Sequence, residues 1–105
     1  MNPKNCKILG EKLAKSIIKQ FGTQNVSLLC QIAKISIRYE RWNPVTWGEF
    51  DRKNNTICVN LLAKIDHKEI ITHELGHYFI HKEGIILSRN EEEMVVNSFT
   101  SFFTE

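Results

Sequence analysis

Apolar positions recur every three to four residues at the two ends of the chain and every second residue in its middle, which predicts helices flanking a small sheet. Across residues 4–21, Leu9, Leu13, Ile17 and Phe21 repeat every four positions, and Ile18 widens the stripe. This is the pattern of an amphipathic helix, and Gly22 is placed to end it. Lys4, Lys7, Lys12, Lys15 and Lys19 mostly fall off the stripe and read as its solvated face. Residues 25–34, with Val26, Leu28, Leu29, Ile32 and Ala33 apolar, predict a second, shorter helix. The period then changes. Ile35, Ile37 and Tyr39 alternate with Ser36, Arg38 and Glu40, as in a half-buried strand. Asn43-Pro44 marks a turn, and residues 45–51 and 56–60 read as two more strands joined by a hairpin turn at Arg52-Lys53-Asn54-Asn55.

The helical period returns over residues 66–82. Asp66 is a good N-cap, Glu69 three residues later completes a capping-box-like pair, and Gly84 suits the position after the C-cap. From residue 90 to the end, Val95, Val96, Phe99, Phe102 and Phe103 give a last helix an apolar side. The layout is α+β: N-terminal helices, a three-stranded antiparallel meander, a long helix and a C-terminal helix.

Composition narrows the class. A chain of 105 residues forms one domain, residues 1–105, and 42% hydrophobic with 10% aromatic residues suffices for a small core. A net charge of +2 argues for neither direct nucleic-acid binding nor an acidic membrane surface. No apolar run approaches the roughly 18 residues that span a bilayer. The first six residues lack the apolar core of a signal peptide. Cys6, Cys30 and Cys58 are odd in number, far apart and without a C-x-x-C pair, so each reads as a buried thiol and the expected compartment is the cytoplasm.

The chemistry is concentrated in His73-Glu74-Leu75-Gly76-His77, an H-E-x-x-H match inside the 66–82 helix. Residues four apart share a helix face, so His73 and His77 can offer two imidazoles to one ion. Glu74 then projects beside the metal, where a carboxylate can act as general base toward a bound water. Ile70, Ile71, Leu75, Tyr78, Phe79 and Ile80 crowd the motif and imply burial, against a reading of two solvated surface histidines.

A catalytic zinc usually takes three protein ligands. His81 continues the spacing, but it lies roughly 12 Å along the axis from His73 at 1.5 Å per residue, too far for convergence on one ion, and so reads as a rim or supporting residue. Glu91, Glu92 and Glu93 are the other candidates. Glu92 lies nearest the middle of the apolar stripe of the last helix, and Glu93 shares a face with Asn97. Asn90 followed by Glu93 also reads as a capping box, so the pattern alone does not choose among them. Gly48 marks either a bulge or a close backbone approach. In zinc peptidases the strand beside the motif helix commonly pairs with substrate backbone. Trp42 and Trp47 read as core or rim aromatics.

The chain resembles the ImmA/IrrE family of small zinc metallopeptidases. The likeness is carried by Trp47-Gly48-Glu49-Phe50-Asp51, Ile57-Cys58-Val59-Asn60, the segment His73 through His81, and Glu93-x-x-Val96-Asn97-x-Phe99, over roughly residues 25 to 103. The family's last motif runs E-x-x-A-N-x-F-A; Val96 and Thr100 stand here where it prefers alanine. The resemblance implies a zincin-like minimal domain in which His73, His77 and Glu93 hold Zn²⁺ and Glu74 is the catalytic base. It places Asn97 where it can orient a ligand histidine, with Tyr78 or His81 assisting at the oxyanion. It also implies a protein substrate, such as a helix-turn-helix repressor. The competing readings are a non-catalytic module of the same fold that sequesters a transcription regulator, and a structural zinc domain closed by His81 or a second glutamate. Glu74 favours the enzyme, because a structural site needs no general base. Oligomeric state has no signature in the sequence.

Overall fold

The computed structural model describes residues 1–104. Its elements run α1 (Pro3–Phe21), α2 (Val26–Ile32), β1 (Ser36–Glu40), β2 (Gly48–Asp51), β3 (Thr56–Asn60), α3 (His67–Lys82) and α4 (Arg89–Thr104). The α+β class and every element read from periodicity are present; the strand at 56–60 has the bounds read for it, and elsewhere ends differ by at most three residues. The reading that carried the last helix to the chain end includes Glu105, which lies outside the described residues.

Helix ends follow local chemistry. Asn2 Oδ1 accepts from the Asn5 N–H (2.8 Å), and Gly22 closes α1 at φ 71°. Asn25 caps α2 through the Leu28 N–H, and Asp66 caps α3 through the Lys68 N–H (2.8 Å). At α4 the reciprocal pair is Ser88 with Glu91. The Ser88 N–H donates to Glu91 Oε1 (2.9 Å), and the Glu91 N–H donates to Ser88 Oγ (3.2 Å). This capping box begins two residues before the Asn90/Glu93 pair that the sequence also offered, and it leaves the Glu93 carboxylate free of capping.

The helices pack through small residues. In α1 the buried set is Cys6, Gly10, Leu13, Ala14 and Ile17, while Leu9, Ile18 and Phe21 pack beside it. The contact face is thus turned toward the small residues. A Cβ at Gly10 would lie 2.5 Å from the Val95 carbonyl oxygen, so α4 sits against the α1 backbone there, and Ser98 Oγ donates to the Lys7 carbonyl (2.6 Å). Gly76 plays the same part between α3 and α4, facing Val96 and Phe99.

The sheet corrects one expectation. It is mixed, with order β1-β3-β2: β2 pairs with β3 antiparallel, but β1 pairs with β3 parallel, Ile37 opposite Ile57. The three strands are therefore not an antiparallel meander. The tight turn at 52–55 delivers β3 onto one edge of β2, and β1 takes the other edge of β3. The segment between β1 and β2 must then cross the end of β3. Asn60, fully buried, makes that crossing possible. Its Nδ2 donates to the carbonyls of Asn43 (3.0 Å) and Thr46 (2.7 Å), and its Oδ1 accepts from the N–H of Trp42 (3.2 Å) and Leu62 (3.0 Å). One amide stands in for the ladder bonds that an irregular crossing lacks. All of β3 is buried, which puts the core between the sheet and the α1, α3 and α4 layer. Cys6, Cys30 and Cys58 are buried free thiols, and among the described residues no helix is long and apolar enough to cross a membrane.

Candidate metal centre

The centre sits where α3, α4 and the free-edge strand β2 meet. On α3, Ile70, Ile71, Leu75, Phe79 and Ile80 turn into the core. His73, Glu74, His77 and Tyr78 are thereby left half-buried at its surface. On α4, Val95, Val96, Phe99 and Phe103 take the core side, which sets the first turn of α4 beside the histidines.

His73, His77 and Glu93 offer ligand atoms that all lie within 4.8 Å of one another. Nε2 of His77 is 3.3 Å from Glu93 Oε1, and Nε2 of His73 is 3.6 Å from Glu93 Oε2. Two imidazoles and one carboxylate converging in this way are a donor set that fits a metal ion with an open position. Burial lowers the pKa of His73 and proximity to His77 lowers it further, against Glu93 and Glu69. The ring is thus biased toward the neutral form that binds metals.

Glu74 lies between two clefts. One, of about 540 Å³, is lined by Phe50, Arg52, Asn55, Glu74, His77, Tyr78, His81 and Lys82. The other, of about 240 Å³, is lined by Val45, Trp47, Gly48, Ile70, His73, Glu74 and Glu93. Burial pushes the Glu74 carboxyl up; Glu93 and Glu49 push the same way, and His77 opposes them. An elevated carboxyl beside a cleft is poised to take and return a proton.

Gly48 is explained by packing. The β2–β3 register runs without a bulge, and a Cβ at Gly48 would lie 2.7 Å from Ile70 Cγ2 and 2.9 Å from the Cys58 carbonyl oxygen. The glycine lets β2 lie against α3 beside Glu74. Trp47 is at the rim, 46% exposed, and Trp42 is half-buried. Asn97 lines a further pocket with His73, and among the described residues no hydrogen bond joins it to either histidine. Tyr78 stacks on Phe50 with ring centres 5.0 Å apart, and its hydroxyl accepts from Lys82 Nζ (3.2 Å). His81 stands outside the trio, its Nε2 3.2 Å from Glu92 Oε2. Glu92 itself contacts Nδ1 of His77. The sequence reading missed Phe50 as a cleft wall, although strand alternation from Gly48 puts it on the same face. It also missed the rim cations Arg52 and Lys82.

No protein-family model matches the chain. Over 70 residues it is 34% identical to the metallopeptidase ImmA of Bacillus subtilis (strain 168), an alignment covering 65% of this chain and 41% of that protein. The chain thus spans about two fifths of the length of this relative, and the similarity points to a metallopeptidase.

Proposed function

We propose that the chain is a member of the ImmA/IrrE family and a zinc-dependent endopeptidase, with His73, His77 and Glu93 as ligands and Glu74 as general base. The observation that carries the reading is the convergence of His73, His77 and Glu93 beside a carboxyl whose pKa is raised. Zinc held by His73, His77 and Glu93 would supply Lewis acidity toward a peptide carbonyl and a bound water. Glu74 accepts the water proton at its carboxylate and passes it to the leaving amine. The free edge of β2 pairs with an extended substrate backbone, which sets the scissile carbonyl between the two clefts that meet at Glu74. Tyr78 and His81 line the larger of these clefts, and in this reading they assist at the oxyanion. The substrate class is a regulatory protein such as a helix-turn-helix repressor; this part rests on the family likeness.

The test is digestion of a mixed-sequence peptide library, read by mass spectrometry, with and without zinc. The wild-type chain should cut in the presence of zinc. Glu74→Gln should not cut, yet should still bind the metal. Surviving cleavage in Glu74→Gln removes Glu74 from its role. Zinc binding without cleavage of any peptide favours the alternative, a partner-binding module of the same fold.

A further inference from the structure

Glu92 and Glu93 are neighbours on α4 that reach opposite sides of one ring. Glu93 Oε1 lies 3.3 Å from Nε2 of His77, whereas Glu92 Oε2 lies 2.5 Å from its Nδ1. The same Glu92 oxygen lies 3.2 Å from Nε2 of His81, one turn further along α3. The Glu92 side chain is 18% exposed and that of Glu93 52%, so the more enclosed carboxylate is the one turned away from the trio. A neutral imidazole carries one N–H and one lone pair, and a carboxylate accepting at Nδ1 takes the N–H and leaves the lone pair on Nε2. Nε2 is the nitrogen that faces Glu93, as does Nε2 of His73.

We infer that Glu92 is a positioning residue for the metal centre: its carboxylate holds His77 in the Nδ1–H form and in one rotamer, with Nε2 presented alongside His73 and Glu93, and His81 braces that carboxylate from the next turn. The inference rests on the metal site proposed above. It gives the two adjacent glutamates separate tasks and His81 a role off the metal. A mere tie between α3 and α4 would also use this contact, but would not depend on which nitrogen of His77 bears the proton. Removing a carboxylate that orients a ligand imidazole typically lowers metal affinity by about 10–100-fold.

The experiment pairs two readouts on the full chain. Ring-nitrogen NMR of the zinc-free protein, at a pH where imidazoles are neutral, reports the His77 tautomer. Competition against a chromophoric chelator reports zinc affinity. In the wild type His77 should be in the Nδ1–H form. Glu92→Ala should give a mixture of tautomers and bind zinc about 10–100-fold more weakly. His81→Ala should keep the tautomer and weaken zinc less than Glu92→Ala does. Glu92→Gln, whose amide oxygen can still accept from Nδ1, should retain more affinity than Glu92→Ala. A wild-type His77 in the Nε2–H form overturns the inference without need of any variant. So does unchanged affinity in Glu92→Ala, or loss of all zinc binding in Glu92→Ala with retention in Glu93→Ala, which would make Glu92 the ligand. Failure of the peptidase reading looks different: zinc bound, tautomer as stated, and no peptide cut.

Discussion

Adding one methyl group at Gly48 tests whether β2 is held against the motif helix by the absence of a side chain. The new Cβ would meet Ile70 Cγ2 at 2.7 Å and the Cys58 carbonyl oxygen at 2.9 Å. Carbon atoms in contact prefer about 3.5–4.0 Å, so the first contact is about 1 Å too close. Neither neighbour yields easily. Ile70 is β-branched on a helix and has one strongly preferred rotamer. The Cys58 oxygen belongs to the backbone of the central strand. Overpacking of this kind costs about 1–3 kcal/mol. Against it stands a gain of about 0.4–1 kcal/mol from restricting the unfolded chain, because Gly48 does not have a positive φ that alanine would resist. The net expectation for Gly48→Ala is a loss of about 1–2 kcal/mol, seen in urea as a midpoint lower by about 1 M at a slope of 1–2 kcal/mol/M. Unfolding followed by tryptophan fluorescence measures it, since Trp47 adjoins the strand. Gly22→Ala is the contrasting control. It meets nothing within 4 Å but sits at φ 71°, so its loss of about 1–2 kcal/mol comes from the left-handed backbone alone. A Gly48→Ala variant as stable as wild type, or more so, refutes the close approach.

Four further perturbations probe the frame around the centre. Asn60→Ala strands the backbone groups that Asn60 now satisfies at the crossing. Its unfolding free energy should fall by about 4 kcal/mol, at about 1 kcal/mol for each of the four part-buried groups left unpaired, and a fall below 1 kcal/mol would show that the loop does not need it. Ser88→Ala removes the α4 cap and should cost about 1 kcal/mol, or about 4–8 °C in Tm by calorimetry. The Ser88 N–H, with the Met1 ammonium 2.9 Å from Glu91 Oε2, holds the Glu91 carboxyl at about 2, below its ordinary 4.5. The carboxylate's stabilisation is therefore full above pH 4.5 and is lost as pH falls to about 2, so a Glu91→Gln variant should converge on wild-type stability across that window. All three thiols are buried, and burial pushes Cys30 up to about 11. A thiol reagent at neutral pH should modify none of them in the native chain and all of them after denaturation.

Much of the frame was legible because local rules and tertiary packing agree. The four-residue stripe of α1, the alternation at 35–40, Asn25, Asp66 and Gly22 as helix ends, and the hairpin turn at 52–55 all act within a few residues. The pairing of β1 was not legible. Alternation fixes which face a residue takes, not which strand it joins, and the crossing depends on Asn60 bonding to residues 14 to 18 positions away. The small residues misled in a similar way. The α1 stripe drew attention to Leu9 and Phe21, while α4 approaches the α1 backbone at Gly10, where a side chain is missing. In the centre, the spacing of His73 and His77 sets two rings on one face by helix geometry alone. The glutamates were harder, because Glu91, Glu92 and Glu93 are consecutive and their separation depends on where α4 starts. Once Ser88 and Glu91 form the capping box, Glu92 turns to Nδ1 of His77 and Glu93 to the Nε2 side.

Metal content tests the central claim most directly. Protein purified without added metal, then exposed to zinc and dialysed, should retain about one equivalent per chain, as expected for a single three-ligand site. That zinc should be absent from His73→Ala and Glu93→Ala chains that are otherwise folded. A folded wild-type chain that holds no zinc after this treatment, or variants that hold as much as wild type, would contradict the metal centre and the peptidase reading built on it.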